Sequence, residues 1–140
     1  MNIFPFLTMK TDTIYIDSDS TIRQALEKMD CHKYSVIPLI NDNGGYEGTV
    51  SEGDILRYIK NNCNLDISKS EEIRVLDIER YRPYKAMHIS SSIYDLLSIS
   101  KEQNFVPIVD DRDMFIGIVT RKTVLEYFSN EIKEIFKKYE

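Results

Sequence analysis

Two short stretches of this 140-residue chain combine hydroxyl and charged residues at a spacing that could hold a small ligand. In the first, Ser51-Glu52-Gly53-Asp54 follows Thr49-Val50 and precedes Ile55-Leu56, so a strand should give way to a helix with Ser51 at its cap. Backbone N–H groups at a helix start attract anions, so Ser51 could meet a phosphate. Asp54, three residues on, could accept hydrogen bonds from vicinal ribose hydroxyls. The same residues also match a helix-capping box, worth about 1 kcal/mol with no ligand present. Spacing leaves both readings open. In the second stretch, Thr120-Arg121-Lys122-Thr123, two cations fall in a helix first turn, where the macrodipole opposes them by roughly 0.3–1 kcal/mol each. A bound anion would reverse that sign, which makes Thr120, Arg121 and Lys122 phosphate candidates. The plainer alternative turns both side chains to solvent or to acidic neighbours such as Glu126.

Catalytic patterns are missing. The chain has no G-x-G-x-x-G, no G-x-x-x-x-G-K-[ST] and no G-x-S-x-G, and Asp54 follows Gly53 where a phosphate-cradling loop needs Lys. Cys31 and His32 are adjacent on a helical stretch and therefore point in different directions, unsuited to a nucleophile and its base. His32 and His88 lack partners at metal-ligand spacing. The reading is of a non-enzyme that requires no cofactor and has no metal site.

These stretches occupy the same place in an internal repeat. Val36–Asp42 and Gly48–Leu56 align without a gap onto 105–111 and 117–125, and Ser20-Thr21-Ile22 matches Ser91-Ser92-Ile93. Each copy reads as a short strand (14–16; 86–89), a helix with apolar residues at helical spacing (Ile22, Ala25, Met29; Ile93, Leu96, Leu97), two strands and a closing helix. The near-continuous apolar runs 36–40 and 105–109 suit strands covered on both faces. The expected order is β-α-β-β-α twice, an α/β (α+β) fold whose two sheets pack together with pseudo-twofold symmetry. Boundaries are placed at 6–62 for the first repeat, 63–78 for a linker with a short helix over Glu71–Ile78, 79–130 for the second repeat, and 131–140 for a C-terminal helix extension. A unit of about 60 residues is marginal alone, which favours mutual packing of the copies.

Composition narrows the partners. Lys and Arg number 18 against 23 Asp and Glu, giving a net charge of −5 and a pI near 5.1, against general binding to nucleic acid or an acidic membrane. Arg80, Arg82 and Lys85 would be the residues of a DNA-associated regulator, a weaker reading on that charge. Two separated cysteines, with no apolar targeting segment at the N-terminus, place the protein in the cytoplasm.

The repeat resembles the tandem cystathionine β-synthase (CBS) domain pair, often called a Bateman module, of the stand-alone bacterial and archaeal type. The resemblance rests on 34–42, on 48–56, on their counterparts, and on the duplication, and it covers about residues 6 to 129. Such pairs hold adenosine ligands in clefts between their halves: AMP, ADP, ATP, S-adenosylmethionine or cyclic di-AMP. Their G-h-x-[ST]-x-x-D motif, with the hydroxyl toward phosphate and the Asp toward ribose, maps onto Ser51 and Asp54. The resemblance also implies a base pocket from Thr13, Ile14, Tyr34, Ser35 and Pro38 in the first half and Lys85, Ala86, Asn104 and Pro107 in the second. Thr123 replaces the motif's Asp in the second half, so one site built around Asp54 is expected, with phosphate help from Thr120, Arg121 and Lys122. The Arg121-Lys122 pair looks like one that some cyclic di-AMP-binding members carry. Free-standing pairs act through a separate effector protein and dimerise through helices, for which Ile55, Tyr58, Ile59, Tyr127, Phe128 and Ile132 are the candidates. A structural dimerisation protein with empty clefts is the competing expectation.

Overall fold

The computed structural model describes residues 2–139. Its regular elements are β1 (Thr8–Met9), β2 (Ile16–Asp17), α1 (Ile22–His32), β3 (Val36–Ile40), β4 (Tyr46–Ser51), α2 (Glu52–Asn62), β5 (Met87–His88), α3 (Ile93–Ile99), β6 (Phe105–Val109), β7 (Phe115–Thr120) and α4 (Arg121–Lys137). The fold is mixed α+β, with the β-α-β-β-α order appearing twice and β1 added in front. No described helix is long and apolar enough to cross a membrane.

Packing divides the chain into two compact units whose boundaries differ from the repeat boundaries read in sequence. One unit takes Ile14–Tyr84 with Arg112–Phe115. Its sheet runs β2-β3-β4, with β2 parallel to β3 (Ile16↔Leu39) and β3 antiparallel to β4 (Ile37↔Val50). Ile22, Ala25 and Met29 of α1 and Ile55 and Ile59 of α2 bury against Ile37, Leu39 and Val50. Ile55 and Ile59 are therefore core residues, and Leu56 is the apolar residue that α2 exposes, at 61%. Helix α1 starts on a capping box in which the Thr21 hydroxyl accepts from Gln24 N–H and Gln24 Oε1 accepts from the Thr21 backbone N–H.

The connector after α2 departs from expectation. No α-helix spans Glu71–Ile78; 3₁₀ turns form at Ile67–Ser70 and Val75–Asp77, joined by a turn at Glu71 and Glu72 and an extended Arg74. Its backbone is engaged elsewhere: Ile22 N–H donates to the Ile73 carbonyl and Val75 N–H donates to the Ser20 carbonyl. Those bonds lay the connector along the start of α1 and bury Val75 and Ile78 in the core, which outweighs local helix propensity.

The other unit takes the N-terminal segment to Thr13, Lys85–Asp111 and the chain from Ile116 onward. Its sheet order is β1-β7-β6-β5, so the N-terminal strand joins the sheet of the second repeat, antiparallel to β7 (Thr8↔Ile118, Met9↔Gly117). Ile3 is fully buried in that core with Val106, Ile108, Val119 and Val124. Gly117 permits the approach of β1, since a Cβ there would collide with the Thr8 carbonyl oxygen. Helix α4 runs unbroken from the repeat into the expected extension.

Candidate functional site

The junction between β4 and α2 brings Ser51 and Asp54 together as their spacing predicts. Ser51 is the N-cap: its hydroxyl accepts from Asp54 N–H at 3.0 Å, and Asp54 Oδ2 accepts from Ser51 N–H at 2.9 Å. The capping box is thus real, but it does not exhaust Asp54. Its Oδ1 also accepts from the Arg57 guanidinium and from the backbone N–H of Tyr81, both at 2.8 Å. The residue is 2% exposed. A carboxylate has about four acceptor positions, so three bonds leave one on Oδ2, beside the Ser51 hydroxyl at the start of α2.

Asp54 thereby ties down the segment that follows the connector. Arg80 donates from its guanidinium to the carbonyls of Glu47 (3.0 Å) and Thr49 (3.2 Å), and Tyr84 N–H donates to the Thr49 hydroxyl at 2.8 Å. The Tyr46 hydroxyl donates to the Tyr84 carbonyl. Burial raises the Tyr46 phenol above its usual range, so it keeps its proton as donor. Gly48 adopts a left-handed φ of 92°, and a Cβ there would press on the Arg80 guanidinium at 2.9 Å. Between these anchors Arg82 takes a φ of 52°, uncommon for a residue with a side chain, with its guanidinium 5.1 Å from the Tyr81 ring centre. A second cation, Arg57, lies 5.6 Å from the same ring. Arg57 and Tyr81 border a pocket of about 420 Å³ with Asn61, Asn62, Asp77 and Glu79.

The corresponding junction at β7 and α4 is built differently. Thr120 caps α4, accepting from Thr123 N–H at 3.2 Å, and its hydroxyl meets that of Thr123 at 2.8 Å. Arg121 is engaged within its own unit. Its Nε donates to the Ser100 carbonyl at 2.7 Å, and its terminal nitrogens reach Asn104 Oδ1 (2.9 Å) and the Lys101 carbonyl (3.4 Å). Ser100 is the C-cap of α3, so the guanidinium sits where a helix's last carbonyls carry negative partial charge, which offsets its placement at the start of α4. Lys122 is exposed.

The expected base-pocket residues scatter over both units. Ile14 is half-buried, Tyr34 is 43% exposed, Ser35 is exposed, and Pro38 lies buried in β3, all in the first-repeat unit. Thr13 falls in the other unit, buried, with its hydroxyl donating to the Met9 carbonyl at 2.9 Å. Lys85 is held through its backbone by the Gln103 amide, Ala86 is half-buried, Asn104 is engaged by Arg121, and Pro107 is buried in β6. Sequence reasoning missed Arg57, Thr49 and Tyr81, and singled out Arg80 only for a nucleic-acid role, whereas it bonds the Glu47 and Thr49 carbonyls. Arg57 was within reach, since a residue three after Asp54 on a helix shares its face. Tyr81 acts through its backbone N–H, which no side-chain pattern reveals.

One group could take a cation on geometry. Asp17, Asp19 and Asp42 each bring a carboxylate oxygen within 4.8 Å of the others, all exposed. The charge of Asp17, with its hydrogen bond, is the main cause that raises the Asp42 carboxyl above the usual range.

Comparison with known proteins adds the following. The sequence matches the family described as CBS domain over residues 4–61 and 78–130. It is 27% identical over 109 residues to a homoserine O-acetyltransferase of Methanocorpusculum labreanum, covering 78% of this chain but 21% of that protein. Among solved structures, the Listeria monocytogenes CbpB protein in complex with c-di-AMP superposes with a TM-score of 0.80 at 21% identity, covering 91% of this chain and 94% of that one. CBSX2 from Arabidopsis thaliana superposes at 0.77 with 26% identity, covering 95% and 96%. A structure of CBSX2 in complex with AMP gives 0.72 at 25% identity, covering 94% and 98%.

Proposed function

The chain belongs to the CBS domain family, and on that premise we propose that it is a non-catalytic regulatory module that binds an adenosine-containing nucleotide and signals to a separate effector protein. The ligand classes are AMP, ADP, ATP, S-adenosylmethionine and cyclic di-AMP; CbpB with c-di-AMP and CBSX2 with AMP support that range. The observation that carries the reading is the remaining acceptor position on Asp54 Oδ2, beside the Ser51 hydroxyl at the N-terminus of α2. A ribose hydroxyl would donate to that oxygen and a phosphate would meet Ser51 and the helix start. Thr120, Arg121 and Lys122 are the proposed phosphate residues of the second repeat, with the Arg121 guanidinium otherwise held by Ser100, Lys101 and Asn104. Ile14, Tyr34, Ser35 and Pro38, with Thr13, Lys85, Ala86, Asn104 and Pro107, are the proposed base-pocket set.

Signalling follows from differential binding. A nucleotide shifts the protein only as far as its affinities for two states differ. Asp54 holds Tyr81 N–H on its other oxygen, so a ribose on Oδ2 and the 80–84 segment share one carboxylate, and that shared group is where two states would differ. We place the protein in the cytoplasm, as a homodimer pairing through helices, with no membrane or nucleic-acid partner. The three bonds that Asp54 already makes also favour a second reading: an interaction protein that binds no nucleotide, in which Ser51 and Asp54 only cap and tether.

Thermal unfolding against AMP, ADP, ATP, S-adenosylmethionine, NAD and cyclic di-AMP separates the two. A ligand at 100 times its dissociation constant adds about 2.7 kcal/mol of stability. A shift of several degrees with one adenine ligand, reduced in Asp54→Asn, is the expected result; flat curves with all six leave the second reading.

A further inference from the structure

We propose that the pocket between α2 and the 77–81 connector is a second ligand site, one that takes the zwitterionic head of a free α-amino acid. The pocket lies wholly within the first-repeat unit, and the proposal does not rest on the nucleotide reading. Its volume of about 420 Å³ falls at the small end of ligand pockets, enough for an amino acid with its side chain. Both walls are fixed from behind. Ile55 and Ile59 seat α2 in the core and leave Arg57, Asn61 and Asn62 exposed. On the opposite wall Ile78 is buried in the same core between Asp77 and Glu79, and Asp54 holds Tyr81 N–H at 2.8 Å. Walls anchored in this way need little ordering when a ligand enters, which favours affinity for a small molecule.

The lining carries both signs of charge with bonding capacity left on each. The Arg57 guanidinium donates from Nη2 to Asp54 at 2.8 Å, and its other N–H groups have no acceptor among the described residues. Asp77 and Glu79 border the same pocket and enter no ion pair among the described residues. These groups select the ligand class. A phosphate would face two carboxylates, and a simple amine would leave the remaining guanidinium donors unanswered. A metal ion is not favoured either: among the described residues the carboxylates that come close enough to share one lie elsewhere, at Asp17, Asp19 and Asp42. A zwitterion answers both signs. Its carboxylate meets the planar donors of Arg57, and its ammonium, with three donors, meets Asp77 and Glu79. The rings of Tyr58 and Tyr81 then offer apolar surface to the side chain, so apolar and aromatic amino acids are expected over acidic ones, which would add a third negative charge.

Calorimetric titration and thermal unfolding of the full chain with each standard amino acid at neutral pH test this. Saturable binding of at least one apolar or aromatic amino acid is expected. N-acetylation of that amino acid, or conversion of its carboxyl to the amide, weakens binding about tenfold or more, since each removes one charge-assisted pair. Asp77→Asn combined with Glu79→Gln has the same effect at unchanged far-UV circular dichroism, because both positions are exposed; Arg57→Gln weakens binding in parallel. Equal affinity for the corresponding amine without a carboxyl group, or binding that survives the Asp77/Glu79 change, overturns the zwitterion assignment. Absence of heat and of any thermal shift for all amino acids at millimolar concentration overturns the site. Nucleotide-induced shifts, read on the same samples, stand or fall separately.

Discussion

Replacing Asp54 with alanine removes one carboxylate and three hydrogen bonds, and the structure assigns each a different cost. The bonds from Ser51 N–H and Tyr81 N–H lie with the 2%-exposed carboxylate, and losing a charged acceptor of a partly buried N–H costs about 1–1.5 kcal/mol each. The Arg57 pair is discounted, because the guanidinium side is 52% exposed and solvent screens it, to about 0.5 kcal/mol. Together the loss is about 3 kcal/mol. At the usual unfolding entropy per residue, a chain of this length loses about 0.3 kcal/mol per degree, so Tm should fall by about 10 °C. Ser51→Ala removes only the hydroxyl cap, about 1 kcal/mol or about 3 °C. Thermal and urea unfolding followed by circular dichroism would measure both. Equal Tm values for the two variants would refute the claim that Asp54 tethers the 80–84 segment as well as capping α2. The contrast also matters for binding work: Asp54→Ala alters fold and site together, so Asp54→Asn, measured well below its Tm, is the variant to use.

Three further outcomes follow from particular contacts. Asp42→Asn should raise Tm at pH 7, because the folded-state carboxyl, raised chiefly by Asp17, is disfavoured in its charged form; the gain should vanish as the pH falls below the ordinary carboxylate range, where the repulsion is already relieved. A gain that persisted at low pH would contradict this. Arg121→Ala should lower stability by about 1.5 kcal/mol in urea unfolding, since it uncovers the Ser100 and Lys101 carbonyls at the end of α3; an unchanged midpoint would mean the guanidinium is not holding them. Gly117→Ala should detach β1, so hydrogen exchange at the backbone amides paired across Thr8↔Ile118 should accelerate sharply while β3 and β4 stay protected. Uniform exchange across the chain would argue against a local effect.

What could be read from the sequence was whatever local periodicity and repetition encode. The duplicated strand-helix-strand-strand-helix order was legible because Val36–Ile40 and Phe105–Val109 repeat in register and because Ile22, Ala25 and Met29 keep helical spacing. The Ser51/Asp54 cap was legible as a local S-x-x-D pattern. The destination of the N-terminal segment was not: β1 pairs with β7 more than a hundred residues away, and nothing within Thr8–Met9 names its partner. The helix expected over Glu71–Ile78 failed for the same reason, as long-range bonds to Ser20 and Ile22 decide that segment. Arg121 shows the limit of dipole arguments made on one helix, since the C-terminus of a second helix supplied the negative end that the first lacked. Ile55 and Ile59 were candidates for an interface and are core, because helical spacing identifies an apolar face without saying what covers it.

The most direct test of the account is a calorimetric titration of the wild-type protein with AMP and with cyclic di-AMP, repeated on Asp54→Asn. Saturable binding of one of them to the wild type, weakened at least tenfold in Asp54→Asn while far-UV circular dichroism stays native, is the predicted result. Absence of heat for either nucleotide, or affinity unchanged by the substitution, would contradict a nucleotide site built on Asp54.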